Sequence, residues 1–403
     1  MSANATSANK TEHVPFRPLA ELRSEYWMIQ KLGCGGFGKV YLIRHRQTRD
    51  YCAAKHQKWL TPDTQRNARR EVAILRCLEH QNHVVRFIDY FEGEEQSVIL
   101  TEYLQGGELF QKISAKDYQL TEAKCRDFFR QVVKGVEFIH SRRILHLDLK
   151  PQNIVLISAQ NVIVTEEDQL NESRSSTSSY RSSFGSEDRL KIIDFGLAKE
   201  LGLYADRIPV TMCGTLEFMS PEVMRCSHAS PASDMWSVGV ILYMMLSGGL
   251  SPFWAGSEYR TQRRIVRGIY SLEHPNFKDI SKNALDCIEK LIDTDGARRM
   301  TAARCLEHQW LTGSYLDTLK ALETTWMRKY LAKRRWQRWF NTVKAMNRMQ
   351  RLISDGGSNR NILEDDAFAL GQFAAPPASP GPLATGPAAG SAGSAIPPKE
   401  RWV

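Results

Sequence analysis

The chain has 403 residues, of which 42% are hydrophobic, and a formal net charge of +9. That length exceeds one average domain of roughly 100–200 residues, so two compact lobes plus tails fit. Eight scattered cysteines (Cys34, Cys52, Cys77, Cys125, Cys213, Cys226, Cys287, Cys305) form no CxxC pair and have no histidine at zinc spacing, so a reduced, metal-free set is the simplest reading. The N-terminal MSANATSANKTEHVPF lacks a secretory pattern, and the longest apolar run, SVGVILYMML at 237–246, falls short of the roughly 20 residues a membrane span needs. A soluble protein of the cell interior is expected. The charge surplus is local: residues 326–352, WMRKYLAKRRWQRWFNTVKAMNRMQRL, hold nine Lys and Arg and no Asp or Glu. The remainder is balanced, which argues against a broadly basic nucleic-acid-binding body.

In chain order, residues 1–23 are polar and aperiodic and read as a flexible arm. From 24 to about 100, YWMIQKL, KVYLIRH and YCAAKH carry strand patterns, REVAILRCLEH carries helical spacing, and VVRFIDYFE and SVILTEYL return to strands. The expected fold class is α+β: a small β-rich lobe over 24–104 with one main helix, then a larger helical lobe over 105–311. In KLGCGGFGKVYLI at 31–43, Gly33, Gly35 and Gly38 stand between two strands, where missing Cβ atoms let a backbone approach phosphate oxygens. A plain Gly-rich hairpin is the competing reading. Lys55 closes the strand CAAK and can meet phosphates if Glu71, in RREVAIL, holds it by an ion pair; alone it reads as a surface charge.

After QGGELF at 105–110 the pattern turns helical, with EAKCRDFFRQVVKGVEFIHS, SDMWSVGVILYMMLSG and NALDCIEKLI as the clearest helices. Between the first two lie HLDLKPQN at 146–153, KIIDFGLAKE at 191–200 and GTLEFMSPE at 214–222. An Asp followed five residues later by an Asn, with a Lys between, can hold a hydroxyl nucleophile, a phosphate and a metal together. Asp194 follows apolar strand residues and can ligate Mg²⁺, which prefers carboxylate and phosphate oxygens. NIVLI and RLKIIDFG read as the two strands of a hairpin whose tip is a Ser-rich insert over 158–189, either a passive spacer or a set of phosphorylation sites. Residues 353–403, rich in Pro, Ala, Gly and Ser from 371 to 398, read as a disordered tail.

Each piece has a bland reading, but their order from about Tyr26 to Leu311 resembles the eukaryotic protein kinase family. The resemblance implies that Asp148 accepts the proton of a substrate hydroxyl, that Lys150 steadies the γ-phosphate of ATP, and that Asn153 and Asp194 hold Mg²⁺. It implies further that Lys55, paired with Glu71, meets the α- and β-phosphates beneath the Gly33, Gly35 and Gly38 loop. Val40 and Ala53 would roof the adenine and Val155 lie beneath it. The backbone of Glu102 and Leu104 would bond its edge, with Thr101 at the back. Glu108 and Thr215 would face the substrate, while Asp234, Glu222 and Arg299 would be residues of the fold.

Departures from the family pattern carry information. Leu147 stands where many kinases have an Arg that pairs with an activation-loop phosphate, so that phosphate is not the expected switch. Leu147 and SPEV at 220–223 resemble the calmodulin-dependent group, its myosin light chain kinase branch first and its death-associated kinase branch next. Leu216 replaces a common Pro and Gln152 a common Glu.

In the basic segment, Trp336, Phe340 and Val343 share one helical face, and Met349 lies thirteen residues beyond Trp336, ~20 Å along a helix. That spacing suits two hydrophobic grooves of an acidic partner, as in calmodulin. A solvated helix and a helix on anionic lipid are the alternatives. Residues 312–352 are thus expected to be an autoinhibitory and calmodulin-binding segment lying across the substrate cleft, where its cations would meet acids such as Glu108. The expected protein is a monomeric, cytoplasmic serine/threonine kinase using ATP and Mg²⁺, released by Ca²⁺/calmodulin. Myosin regulatory light chain is its expected substrate and the actomyosin cytoskeleton its expected setting. The rivals are a death-associated-type kinase with other cytoskeletal substrates and an inert calmodulin-binding scaffold.

Overall fold

The structure, a computed structural model, describes residues 15–35, 38–59, 61–79, 81–157, 189–313 and 320–336. The Ser-rich insert, the C-terminal tail and the anchors Phe340, Val343 and Met349 lie outside those residues.

The small lobe is a six-stranded sheet in the order β1-β5-β6-β4-β3-β2. Its strands are β1 (Arg17–Pro18), β2 (Tyr26–Gly35), β3 (Gly38–His45), β4 (Tyr51–Lys58), β5 (Phe87–Glu92) and β6 (Gln96–Glu102). One face packs Tyr26, Tyr41, Ile43, Cys52, Ala54, Phe91, Val98 and Leu100 into a common cluster. Strand alternation then points Ala53 and Lys55 of β4 to the opposite face.

The expected flexible arm over 1–23 is corrected at its end. β1 pairs parallel with β5, and α1 (Leu19–Glu25) buries Leu22 in the sheet cluster. Arg17 explains this order, because its guanidinium binds Glu21, Glu25 and, at 2.9 Å, Asp89 of β5. Such a cross-chain contact has no signature in local sequence.

Helix α2 (Pro62–Cys77) begins with a Thr61 cap accepting the Thr64 N–H and Pro62 in its first turn. Its buried Ala68, Glu71, Val72 and Leu75 fall at i, i+3, i+4 and i+7, so the amphipathic stripe that docks the helix also carries Glu71 inward.

In the large lobe, α3 (Leu109–Ile113) and α4 (Glu122–Ser141) lead to β7 (Ile144–Leu145) and then to β8 (Ile154–Leu156). β9 (Leu190–Ile192) pairs antiparallel with β8, which bears out the hairpin read from NIVLI and RLKIIDFG. β10 (Lys199–Glu200) pairs with β7. After α5 (Pro221–Met224), helix α6 (Pro231–Leu246) is capped by the Ser230–Ser233 box and buried all round, as its unbroken apolar run requires. Helices α7 (Glu258–Arg267), α8 (Lys282–Leu291), α9 (Ala302–Leu306) and α10 (Gln309–Thr312) complete the lobe. Residues 325–336 form a last helix, α11.

Glu222 and Arg299 lock α5 to the chain before α9 through bonds of 2.8 and 3.1 Å, with Ser233 donating to the same carboxylate at 2.7 Å. Burial opposes the charge on Glu222, but the Arg299 guanidinium outweighs it and holds the carboxyl at about 2. A carboxylate so depressed stabilises the fold above its ordinary value near 4.5 and loses that contribution as pH falls towards 2. The share is on the order of 3 kcal/mol. Urea unfolding between pH 5 and pH 2 is expected to show this decline, and Glu222→Gln to flatten it by about that amount; an unchanged slope in the variant would refute the assignment.

Candidate active site

The site forms where the lobes meet, and one carboxylate organises its lower wall. Asp234, 1% exposed near the start of α6, accepts the backbone N–H of His146 and of Leu147 at 2.9 Å each, and His140 Nε2 at 2.9 Å. Burial opposes its charge, and the His140 hydrogen bond leads the contacts that hold its carboxyl below the usual range. These bonds pin Leu147 at φ +64°, a left-handed conformation costly for a branched side chain. That turn aims Asp148 into the cleft. Gly214, at φ +93°, crosses so close that a Cβ there would sit 2.7 Å from the Leu147 carbonyl.

His146 ties this loop to the next. Its Nε2 donates to the Ile193 carbonyl at 3.1 Å, and its Nδ1 accepts the Asp148 N–H at 3.3 Å, so the Nε2-protonated tautomer satisfies both. The Ile193 N–H in turn donates to the Asn153 carbonyl at 2.9 Å. Asp194, at φ +65°, is therefore held beside Asn153 although forty-one positions separate them.

Two clusters result. In the first, Lys55 Nζ donates to Glu71 Oε1 at 2.7 Å, Glu71 Oε2 at 3.0 Å and Asp194 Oδ1 at 2.9 Å. Burial would lower the Lys55 pKa, but Glu71 and Asp194 more than compensate and raise it. Burial likewise works against the Asp194 charge, and Lys55 overcomes it, so that carboxyl lies below its ordinary value. The ion pair expected from sequence is present. In the second cluster, the Thr215 hydroxyl donates to Asp148 Oδ1 at 3.1 Å and accepts from Lys150 Nζ at 3.2 Å. Lys150 also donates to Asp148 Oδ2, and Asn153 Nδ2 to the Asp148 carbonyl at 2.9 Å. A hydroxyl between a carboxylate and an ammonium can lose its proton to the one and approach an anion held by the other.

Backbone pairing places the remaining expected residues. Across β4 and β6 Ala53 pairs with Thr101, and across β3 and β4 Val40 pairs with Lys55. Val155 pairs with Glu108 in an isolated bridge, while Gly106 and Gly107 bond to Leu156. Leu104 connects β6 to this bridge. The Glu102 N–H is engaged by the Arg86 carbonyl, and its side chain accepts from the Arg86 N–H and Lys191. Gly38, at φ +135°, needs its lack of Cβ because His56 O would lie 2.0 Å from one. Among the described residues Gly33 has no atom within 4 Å of such a Cβ, so their packing does not explain it. Gly35 pairs with Gly38 at the hairpin end.

Beside Thr215 lies a shallow recess lined in part by Asp148, Cys213, Phe218, Met219 and Val223. Leu216, in place of the common Pro, is not on that wall; it packs against the core. His140 and Gly214 were missed by the sequence reading, because their roles arise from contacts across the fold. The pair Gly248–Gly249, at the end of α6, was also passed over. Both glycines have positive φ, and a Cβ on them would strike Glu323 O at 1.7 Å or Met327 at 2.2 Å. This notch seats α11: Met327 N–H donates to the Gly248 carbonyl at 2.6 Å, and Met327 and Leu331 are buried.

Residues 26–311 match the family model for the protein kinase domain, so the chain belongs to the protein kinase family. It is similar to smooth-muscle myosin light chain kinase of Gallus gallus, 34% identical over 82% of this chain and 16% of that protein. Similarity to skeletal/cardiac myosin light chain kinase 2 of Rattus norvegicus is 35% over 83% of this chain and 51% of that protein. The chain thus spans about half or less of the length of these curated relatives. Among solved structures, the autoinhibited serine kinase domain of titin matches with a TM-score of 0.63 and 28% identity, covering 77% of this chain and 88% of that one. The autoregulated twitchin kinase fragment of C. elegans matches with 0.65 and 30%, covering 81% of this chain and 66% of that one.

Asp234→Ala leaves the buried N–H of His146 and the half-buried N–H of Leu147 without their acceptor, the former at a cost of about 1–3 kcal/mol. Native-state hydrogen exchange is expected to show both amides losing protection. Wild-type protection in the variant would mean that Asp234 does not hold the loop.

Proposed function

We propose that the protein is a serine/threonine kinase that transfers the γ-phosphoryl group of ATP to a protein hydroxyl. The observation that carries this reading is the Thr215 hydroxyl held between Asp148 and Lys150, with Lys55 bound to Glu71 and Asp194 in the adjoining cluster. Thr215 marks the position where an acceptor hydroxyl would sit. Asp148 then takes the acceptor proton, Lys150 steadies the transferred phosphoryl, and Lys55, oriented by Glu71, neutralises the phosphates behind it. Gly33 leaves space for phosphate oxygens near the backbone. Gly35, Gly38, Val40, Ala53, Thr101, Glu102, Leu104 and Val155 bound the nucleotide, and Glu108 faces the substrate.

The residues fit Mg²⁺. The Asp194 side chain is 30% exposed, and Asn153 has its amide nitrogen committed to the Asp148 carbonyl, leaving its oxygen as the ligand. Two protein oxygens suit an ion that keeps waters and phosphate oxygens in its shell. Asn153 and Asp194 would hold it, and when bound it supplies charge neutralisation at the phosphates.

Residues 312–352 form the autoinhibitory and calmodulin-binding segment in this reading. In α11, Tyr330 OH accepts from Gln152 Nε2 of the catalytic loop at 3.4 Å and from Arg334 at 3.1 Å, and its ring meets Phe110 edge-on. Lys333 lies over Trp254 and Arg328 donates to the Ser114 carbonyl. Gln152, a neutral residue where a Glu is common, accommodates a tyrosine of the tail. Burial of Met327 and Leu331 contributes about 1.5–3 kcal/mol each. Trp336, 59% exposed at the end of α11, is the described member of the calmodulin anchors Trp336, Phe340, Val343 and Met349. Capture of that end by Ca²⁺/calmodulin would peel α11 from its notch. The names of the curated relatives, myosin light chain kinases of smooth and of skeletal/cardiac muscle, support a myosin light chain, the regulatory one in this reading, as substrate, and a cytoplasmic setting on actomyosin goes with that substrate. Among the described residues no helix is long and apolar enough to cross a membrane.

Labelled phosphate is expected to move from γ-labelled ATP to myosin light chain in the presence of calcium and calmodulin. Asp148→Asn should cut kcat by about 10²–10⁴-fold with MgATP affinity retained; wild-type inactivity with intact nucleotide binding would favour the inert scaffold. Met327→Glu combined with Tyr330→Ala is expected to give calcium-independent activity. A variant that still needs calmodulin would remove α11 from the account.

A further inference from the structure

Helix α7 presents a cationic stripe that the functions above leave unused. Arg260, Arg263, Arg264 and Arg267 are all exposed, and at 3.6 residues per turn they share one face of the helix, with buried Thr261 and Ile265 on another. Glu258, the helix's acidic residue, lies on the opposite side. Arg260 with Arg264, and Arg263 with Arg267, stand at i, i+4, a like-charge spacing that destabilises an isolated helix. None of the four has an ion-pair partner among the described residues. Asp293 and Asp295, which flank the Thr294 that touches Gly268, are engaged by Arg298, and Glu217 stands in the 216–218 turn that packs against α7. Arg264 donates to the Trp254 carbonyl, and Lys333 of α11 lies over the Trp254 ring, so the positive surface continues onto the tail. Arg225 extends it the other way, donating to the Val266 carbonyl at 2.8 Å.

Position selects the partner. α7 packs against α5 and the 216–218 turn, the wall of the recess beside Thr215. A segment flanking an acceptor hydroxyl is therefore within reach of this stripe. We infer that the Arg260–Arg263–Arg264–Arg267 face is a docking surface for an acidic segment of the protein substrate, separate from the residues that position its hydroxyl. This rests on the kinase reading for the identity of the partner as substrate. Guanidinium forks suit carboxylates in two-point contacts, and four of them along one face suit a run of Asp or Glu more than a single residue. An anionic membrane or an RNA would also be drawn to such charge, but neither needs it beside that recess.

The test uses the full chain and two fluorescein-labelled peptides, each with one serine acceptor, followed in one by a glutamate run and in the other by a glutamine run. The glutamate peptide is expected to bind about tenfold tighter, the advantage disappearing at about 1 M salt, where the screening length is about 3 Å. Arg263→Glu with Arg267→Glu should abolish the advantage while melting temperature and glutamine-peptide binding stay unchanged. Equal binding of the two peptides, or a preference that survives the charge reversal, overturns the proposal. So does a reversal that affects only binding of phosphatidylserine vesicles or single-stranded RNA, measured in parallel. Both peptides are also offered with labelled ATP, Mg²⁺ and calcium-loaded calmodulin. Labelling without a glutamate advantage rejects the docking surface alone; glutamate-selective binding with no labelling of either peptide rejects the kinase reading alone.

Discussion

Asp234 is the constraint on which the site depends. A carboxylate with almost no exposure is costly unless paired, and here backbone N–H groups and His140 satisfy it. In return it fixes Leu147 in a backbone conformation that the residue would not adopt alone. Every later contact follows from that turn: Asp148 faces Thr215, His146 reaches Ile193, and Asp194 arrives beside Lys55. Because α6 is buried on all sides, the helix carrying Asp234 is among the least mobile parts of the molecule, and it lends that rigidity to a loop.

The same logic extends to the lobe above. Glu71 is carried into the cleft by the stripe that docks α2, and Lys55 by the alternation of β4. The ion pair between them couples two packing decisions made elsewhere. Removing the hydrophobic match of α2 to the sheet would therefore loosen the phosphate-binding lysine without touching it.

Much of this was legible in the sequence because the chemical residues lie in short strings with strong local signals. The short apolar runs of NIVLI and RLKIIDFG placed the hairpin, and the order of Gly33, Lys55, Glu71, Asp148, Asn153 and Asp194 in the resemblance to the family implied their convergence. The order at Arg17–Glu25 was not legible, because it depends on an ion pair to Asp89, seventy-two positions away. Nor was the seat of α11, which requires that Gly248–Gly249 be seen as an absence of Cβ atoms against Met327. The stripe on α7 was hidden for a different reason. Charge summed along the chain assigns the whole surplus to 326–352, since acids elsewhere cancel the arginines numerically; in the fold the four arginines of α7 make no ion pair among the described residues.

The central claim is that carboxylate, amide and ammonium groups distant in sequence converge on one nucleotide phosphate chain and its magnesium. Titration of the full chain with a non-hydrolysable ATP analogue, with and without Mg²⁺, tests it most directly when wild type is compared with Asp194→Asn. Nucleotide affinity is expected to rise with Mg²⁺ in the wild type and to lose that dependence in the variant. Failure of the wild type to bind nucleotide, or an undiminished Mg²⁺ effect in Asp194→Asn, would contradict the account.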